Sequence, residues 1–231
     1  MNDFIKSHPQ VQSFKNFEEL ISTPFRGDVN AMCFQRKLIG DFSEIIKKIV
    51  VDENIKVVLP EELLKLQLSK EGILARKILL NDLKVLKKHG ALPTLNIIKC
   101  YEKDDVFPFL PTDVYSFHVD RSPIPTATFL CTYYGASSDI LPNDQATQKI
   151  LIPEIRAELK KLYGPKEGFE EFLSDYFFDL HYQPKPQAKP ISLGIGNLWK
   201  LAVDHPESKV LPCLHRAPKE KKGEYRLLLI C

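Results

Sequence analysis

Six short strand-like segments in the second part of the chain limit the folds it can adopt. They are rich in β-branched and aromatic residues, and turns that contain proline, aspartate or glycine separate them. In chain order they are TLNIIKCY, VYSFHVDR, TATFLCTYYG, KPISLGIGNLWKLAV, KVLPCLHR and EYRLLLIC. A β core of this kind, with helices placed before it and within it, favours a barrel or sandwich over alternating βαβ units.

The first 90 residues are predicted to be mainly helical. Residues 1–28 are polar with scattered aromatics and are expected to form an irregular arm, and residues 30–38 a short strand. Apolar residues at helical spacing predict a helix within residues 40–53, and a second helix is expected to start at Pro60. Ser69 is a suitable N-cap for a third helix, which ends in basic residues before Gly90.

A helical insertion is predicted at residues 146–182, inside the β core of residues 94–231. Its two segments, ATQKILIPEIRAELKKLYG and EGFEEFLSDYFFDLHY, both have the pattern of helices. A chain of 231 residues can form one domain with a sizeable core. The expected architecture is therefore a single α+β domain, with a β-barrel flanked by N-terminal helices and by this insertion.

Charge and cysteine content exclude several classes of protein. The chain has 32 basic and 30 acidic residues, which argues against nucleic-acid or anionic-membrane partners. No apolar run reaches the roughly 20 residues that a membrane span needs, and the start, MNDFIKSHPQ, lacks the pattern of a signal peptide. Five scattered cysteines without a C-x-x-C pair suit reduced thiols, so a cytoplasmic protein is expected.

The segment FHVDR contains the first candidate metal ligands. Residues i and i+2 of a strand point to the same face, so His118 and Asp120 project together. An imidazole and a carboxylate are two-thirds of the ligand set that holds non-haem Fe(II) and leaves other coordination positions open. The alternative is a hydrogen-bonded pair in which the carboxylate fixes the tautomer of the imidazole.

The C-terminal segment supplies a second histidine and an arginine. His215 lies 97 positions after His118, and Arg226 lies 11 positions after His215, at the start of an apolar strand. An arginine beside a metal site can bind a carboxylate through both arms of its guanidinium. Arg216 is a second candidate for that task, but it should point away if His215 points inward, so Arg226 is preferred.

This combination of H-x-D, a distal histidine and a later arginine resembles the Fe(II)/2-oxoglutarate-dependent dioxygenases, which share a double-stranded β-helix, the cupin-like or jelly-roll barrel. The resemblance covers about residues 94–231, including GIGNLWKL, which looks like the turn and strand before the distal histidine. It implies that His118, Asp120 and His215 bind iron and that Arg226 binds the distal carboxylate of 2-oxoglutarate.

One departure from the family concerns the co-substrate. Leu228 stands where many members have a serine that also touches 2-oxoglutarate. That contact is expected to come from Thr132, Tyr133 or Tyr134 instead.

Two functions follow as hypotheses. The resemblance implies an enzyme that uses Fe(II), O2 and 2-oxoglutarate to hydroxylate, desaturate or cyclise a small molecule or a peptide side chain, with the insertion as a lid and residues 133–144 as the loop for substrate contact. The alternative is a cupin-like metalloprotein without 2-oxoglutarate, either a Zn or Mn hydrolase or isomerase, or a ligand-binding module. Arg226 separates the two, because a metallohydrolase has no need of a carboxylate clamp.

Overall fold

Two β-sheets enclose the apolar interior of this mixed α+β protein. The computed structural model describes residues 8–104, 106–219, 221 and 223–231. The strands in this part of the chain are β1 (Val11–Phe14), β2 (Ala31–Phe34), β3 (Ile55–Val57), β4 (Thr94–Ile98), β5 (Phe117–His118), β6 (Ala127–Tyr134), β7 (Asp139–Leu141), β8 (Ala146–Gln148), β9 (His181–Pro184), β10 (Ile191–Ser192), β11 (Leu198–Ala202), β12 (Leu214–Arg216) and β13 (Arg226–Ile230). The α-helices are α1 (Phe17–Ser22), α2 (Phe42–Lys48), α3 (Pro60–Lys65), α4 (Lys70–Lys88), α5 (Pro153–Tyr163) and α6 (Phe169–Asp175).

The larger sheet has seven strands in the order β1-β2-β11-β6-β13-β4-β3, and the smaller has six in the order β10-β7-β12-β5-β9-β8. Apolar side chains from both sheets meet in one cluster, which includes Trp199 and Leu228 from the larger sheet and Ile140 and Ile191 from the smaller. This cluster defines the interior between the sheets.

Eight of these strands form four nested antiparallel pairs. β4 pairs with β13, β5 with β12, β6 with β11, and β7 with β10. Successive pairs alternate between the larger and the smaller sheet. The chain from β4 to β13 is thus folded back on itself between β7 and β10, and the resulting double strand passes repeatedly from one sheet to the other.

Helices cover the outer face of the larger sheet. The helices predicted within residues 40–53, from Pro60 and after Ser69 are confirmed as α2, α3 and α4, and the Ser69 hydroxyl accepts a hydrogen bond from the backbone N–H of Gly72 at 3.1 Å. Buried residues of these helices form one apolar cluster with the outward-facing residues of β4, β6 and β13. No helix in the described ranges is long and apolar enough to cross a membrane.

The N-terminal arm is more regular than its sequence pattern indicates. Residues 1–7 lie outside the described residues, but β1 pairs in parallel with β2, and Asn16 caps α1 through a hydrogen bond to the N–H of Glu19. β2 also pairs with β11, and β3 pairs with β4, so three strands before Thr94 extend the larger sheet. A partner strand distant in sequence stabilises these elements, which local periodicity does not reveal.

The insertion is only partly helical, which corrects the prediction for residues 146–182. α5 and α6 are present, but its first residues form β8, which pairs with β9. α6 ends at Asp175, and the positive φ of Phe177 (58°) marks the break before a short 3-10 turn. His181 then begins β9, which pairs with β5.

Candidate metal centre

Two neighbouring strands of the smaller sheet bring the three predicted ligands together. His118 on β5 lies directly opposite His215 on β12, and their ring centroids are 4.5 Å apart. Asp120 follows His118 by two residues, and its Oδ2 lies 3.7 Å from Nε2 of His215. One candidate donor atom from each of the three residues lies within 4.8 Å of the other two. The structure therefore places them as a group that can hold one metal ion.

Backbone carbonyls set the tautomer of both imidazoles. Nδ1 of His118 lies 2.8 Å from the carbonyl oxygen of Ser116, and Nδ1 of His215 lies 3.3 Å from that of Cys213. A carbonyl only accepts hydrogen bonds, so Nδ1 of each neutral ring carries the hydrogen. The Nε2 lone pair of each ring is then available to a metal, and the carbonyls restrict the orientation of the rings.

Burial also keeps the ring of His118 in the metal-binding form. Desolvation lowers the pKa of His118 to about 4, and the neighbouring His215 adds to this effect. His118 is therefore neutral at pH 7. The carboxylate of Asp120 accepts a hydrogen bond from the hydroxyl of Thr128 on β6, a contact that orients its oxygens.

The donor set fits more than one metal. Two neutral imidazoles and one carboxylate bind Fe(II) in a facial arrangement with open positions, and the same set suits zinc. The chemistry of the three ligands alone does not select between these ions. Residues around the ligands must therefore decide which chemistry the site can support.

Arg226 points into the same interior from the larger sheet. It lies opposite Ile98 on β4 and two residues before Leu228, and both of these apolar residues belong to the cluster between the sheets. Ile140, which lies opposite His215 on β7, belongs to the same cluster. Because directly opposite residues in a ladder share a face, Arg226 and the histidines face one interior from two sides.

Hydroxyl groups surround the buried guanidinium. Arg226 is 5% exposed and donates hydrogen bonds to Ser138 Oγ at 2.6 Å, Thr132 Oγ1 at 3.2 Å and the hydroxyl of Tyr101 at 3.3 Å. Thr132, one of the three residues predicted to contact the co-substrate, thus lies next to the arginine. Sequence reasoning missed Ser138 and Tyr101. The position of Ser138, two residues before Ile140, places it on the inner face only once the pairing of β7 with β12 is known.

Tyr133 faces away from this interior, which corrects its predicted role at the co-substrate. Its hydroxyl donates to Oδ2 of Asp82 on α4 at 2.6 Å, and its ring stacks on that of Phe42 at 5.5 Å. Asp82 also forms an ion pair with Arg36. Tyr134, the other tyrosine considered, is 40% exposed.

Arg216 lies on the face of the smaller sheet opposite His215, as strand alternation predicts. Its guanidinium donates to Oδ2 of Asp139 at 3.1 Å and lies 4.4 Å above the ring of Phe117. Phe117 belongs to the apolar cluster on that outer face. Of the two arginines, Arg226 is the one that shares the interior with the candidate ligands.

A third histidine, His181, completes a row across the smaller sheet. It lies opposite His118 on β9, with the ring centroids 5.9 Å apart, and is 6% exposed. Burial lowers its pKa to about 3, and its Nδ1 has no hydrogen-bond partner among the described residues. Asp179, two residues before His181, forms an ion pair with Arg121.

A cavity of about 210 Å³ lies beside this row of histidines. His118, Asp120 and His181 line one side, and residues 112–114 of the loop between β4 and β5 line another. Two of the three candidate ligands, His118 and Asp120, are therefore accessible to a small group from this cavity.

Comparisons with protein-family models, with curated proteins and with solved structures found no match. Any assignment of function therefore rests on the chemistry of the site itself.

Proposed function

We propose that this protein is an Fe(II)- and 2-oxoglutarate-dependent oxygenase that oxidises an unactivated C–H bond of a small molecule or a peptide side chain. The observation that carries the proposal is the position of Arg226. A buried guanidinium on one sheet faces a His-Asp-His group on the other, and its planar fork suits the far carboxylate of a dicarboxylic acid.

The nested strand pairs support this proposal. Numbered from β4, the eight paired strands have the orders 1-8-3-6 and 2-7-4-5 in the two sheets, so that each strand n lies beside strand 9−n. A chain folded back at its middle and wound into two facing sheets has the connectivity expected of a double-stranded β-helix, the barrel of cupin-like proteins. The insertion lies at the fold-back point, between the fourth and fifth strands.

In this proposal His118, Asp120 and His215 hold the iron. Bound iron, with 2-oxoglutarate and O2, would supply the oxidation of the substrate C–H bond, coupled to conversion of the co-substrate to succinate and CO2. Arg226 binds the far carboxylate, and the hydroxyls of Thr132 and Ser138 hold the guanidinium in place.

Packing around the insertion supports a role in excluding water. Apolar residues of α5 and α6, including Leu159 and Leu173, pack with Leu110 of the loop between β4 and β5. The same loop contributes residues 112–114 to the cavity beside the histidines. The insertion and the loop thus form one cover, which would keep bulk water from the reaction.

We also propose the cytoplasm as the compartment, since all five cysteines are free thiols.

Anaerobic addition of Fe(II) and 2-oxoglutarate to the metal-free protein tests the proposal. Chelation of iron by the 2-oxo acid end gives a visible metal-to-ligand charge-transfer band, which should appear only when both components are present. If the protein binds Fe(II), shown by a separate titration, and the band is absent, the proposal is overturned and the metalloprotein without 2-oxoglutarate becomes the better reading.

A further inference from the structure

A second cavity lies on the opposite side of the smaller sheet from the candidate metal centre. Its volume is about 540 Å³, and Phe117, Tyr182 and Arg216 form part of its wall. These three residues are the sequence neighbours of His118, His181 and His215, so strand alternation turns them to the outer face. A ligand in this cavity would therefore contact the face of the smaller sheet opposite the histidine rings, and Asp113 lines both this cavity and the one beside those rings.

A buried lysine is the unusual feature of this cavity. Lys149 lines it and is 9% exposed. Its ammonium donates to the carbonyl oxygen of Pro111 and to Oγ of Ser116, both at 2.8 Å. An ammonium group has three N–H donors, so one remains after these two contacts.

The charge of Lys149 lacks a direct counter-ion within the ranges that the structure describes. Its two hydrogen-bond acceptors are neutral, and the carboxylate of Asp113 acts on its charge from beyond ion-pair distance. A buried charge that is neither paired nor fully hydrogen-bonded is costly, and an anion that enters the cavity would remove that cost.

The rest of the lining favours an anion as well. Lys103, Lys219 and Arg216 also line the cavity, and Asp113 is the one carboxylate among the described lining residues. The Oδ1 atom of Asp113 accepts hydrogen bonds from the backbone N–H groups of Tyr115 and Ser116, which offset part of its charge. Arg216 is already paired with Asp139, so the three lysines against Asp113 leave the lining with an excess of positive charge.

We propose that this cavity binds the oxyanion of a small organic molecule, a carboxylate or a phosphate, and that Lys149 is its central contact. The aromatic rings of Phe117, Tyr115 and Tyr182 in the wall would contact the rest of the molecule. This site lies on the other face of the smaller sheet from the proposed oxygenase centre, next to it through Asp113 and Ser116, and needs neither metal nor 2-oxoglutarate.

Titration of the whole chain with phenyl phosphate, followed by NMR of the backbone amides of Ser116 and Phe117, tests the site. Phenol has the same ring without the charge and serves as the matched ligand control, and benzoate tests whether a carboxylate is preferred. We expect saturable binding of one or both anions and none of phenol. Saturable binding of neither anion, or equal binding of phenol, would overturn the proposal.

The variant Lys149→Met keeps most of the apolar stem and removes the charge. It should weaken binding of the anion at least about tenfold, because one charge-assisted hydrogen bond is lost. Lys161→Met removes the same charge from an exposed residue of α5 that pairs with Glu158, and it should leave the affinity unchanged. Equal affinities of wild type and Lys149→Met would refute the central role of Lys149.

A second variant covers the case in which Lys149→Met does not fold. Lys103→Met combined with Lys219→Met changes two exposed residues of the lining and leaves the core intact. This double variant should weaken binding several-fold, with a smaller dependence of affinity on salt. An unchanged affinity and salt dependence would argue against an anion at this cavity.

Discussion

Replacement of Arg226 by methionine tests the oxygenase proposal most directly. The side chain is 5% exposed, and it faces the interior that also contains His118, Asp120 and His215. Methionine fills a similar volume without donors, so the change removes the carboxylate partner and leaves the three metal ligands in place. We expect 2-oxoglutarate binding to fall while metal binding is retained.

The magnitude follows from the geometry of the guanidinium. A hydrogen bond to a charged group contributes about 1.5–3 kcal/mol, and a bidentate pair contains two. The hydroxyls of Ser138 and Thr132 already accept hydrogen bonds from Arg226, so binding of a carboxylate exchanges part of these contacts. We therefore take about 3 kcal/mol as the net loss, which corresponds to about a hundredfold rise in the Kd of 2-oxoglutarate.

Anaerobic titration of the Fe(II) protein with 2-oxoglutarate, followed by the charge-transfer band, measures this Kd. Arg216→Met is the matched control, because it removes the same charge from the opposite face of the smaller sheet, where Arg216 pairs with Asp139. It should change the Kd less than about threefold, as expected for a partly exposed ion pair remote from the ligand. An unchanged Kd for Arg226→Met, or an equal loss for both variants, would refute the reasoning.

Three further predictions concern the surroundings of the site. Thr128→Val removes the hydroxyl that orients Asp120 and should weaken Mn(II) binding about tenfold, whereas an unchanged affinity would mean that the contact is dispensable. Asp82→Ala leaves Arg36 without its buried partner and should lower the free energy of unfolding in urea by about 3–5 kcal/mol; a loss below about 1 kcal/mol would contradict this. His118 has a folded-state pKa of about 4 against 6.5 when exposed, so the unfolded chain binds more protons between these values. The free energy of unfolding of the metal-free protein, measured in urea at each pH, should therefore fall as the pH drops from 6.5 to 4, by up to about 1.4 kcal/mol per pH unit for this residue. In His118→Gln this free energy should depend less steeply on pH.

Local sequence patterns predicted the elements that local interactions decide. α4 follows from the Ser69 cap, the helical spacing and Gly90, and all of these act within one or two turns of helix. That His118 and Asp120 project to the same side was predicted from the two-residue period of an extended chain. The link from these residues to His215 and Arg226 came from the resemblance, because no local rule brings together residues so far apart in sequence.

The features that the sequence did not reveal depend on strand pairing between segments far apart in the chain. β6 is buried on both faces, so its sequence shows no alternation of apolar and polar residues. The sequence therefore does not reveal that Thr132 faces Arg226 while Tyr133 faces α4. Likewise β8 is a strand because it pairs with β9, although residues 146–148 continue into a helical pattern. Such features depend on partners distant in the chain.

The nested pairing of the strands also affects when the candidate metal ligands can come together during synthesis. His118 and His215 become neighbours only after the chain has returned past β7 and β10 to place β12 beside β5. A growing chain that has not yet released residue 215 from the ribosome has at most two of the three ligands and cannot retain the ion firmly. If the protein holds iron as proposed, loading with metal is a late event, and chains that end before residue 215 should carry no redox-active ion.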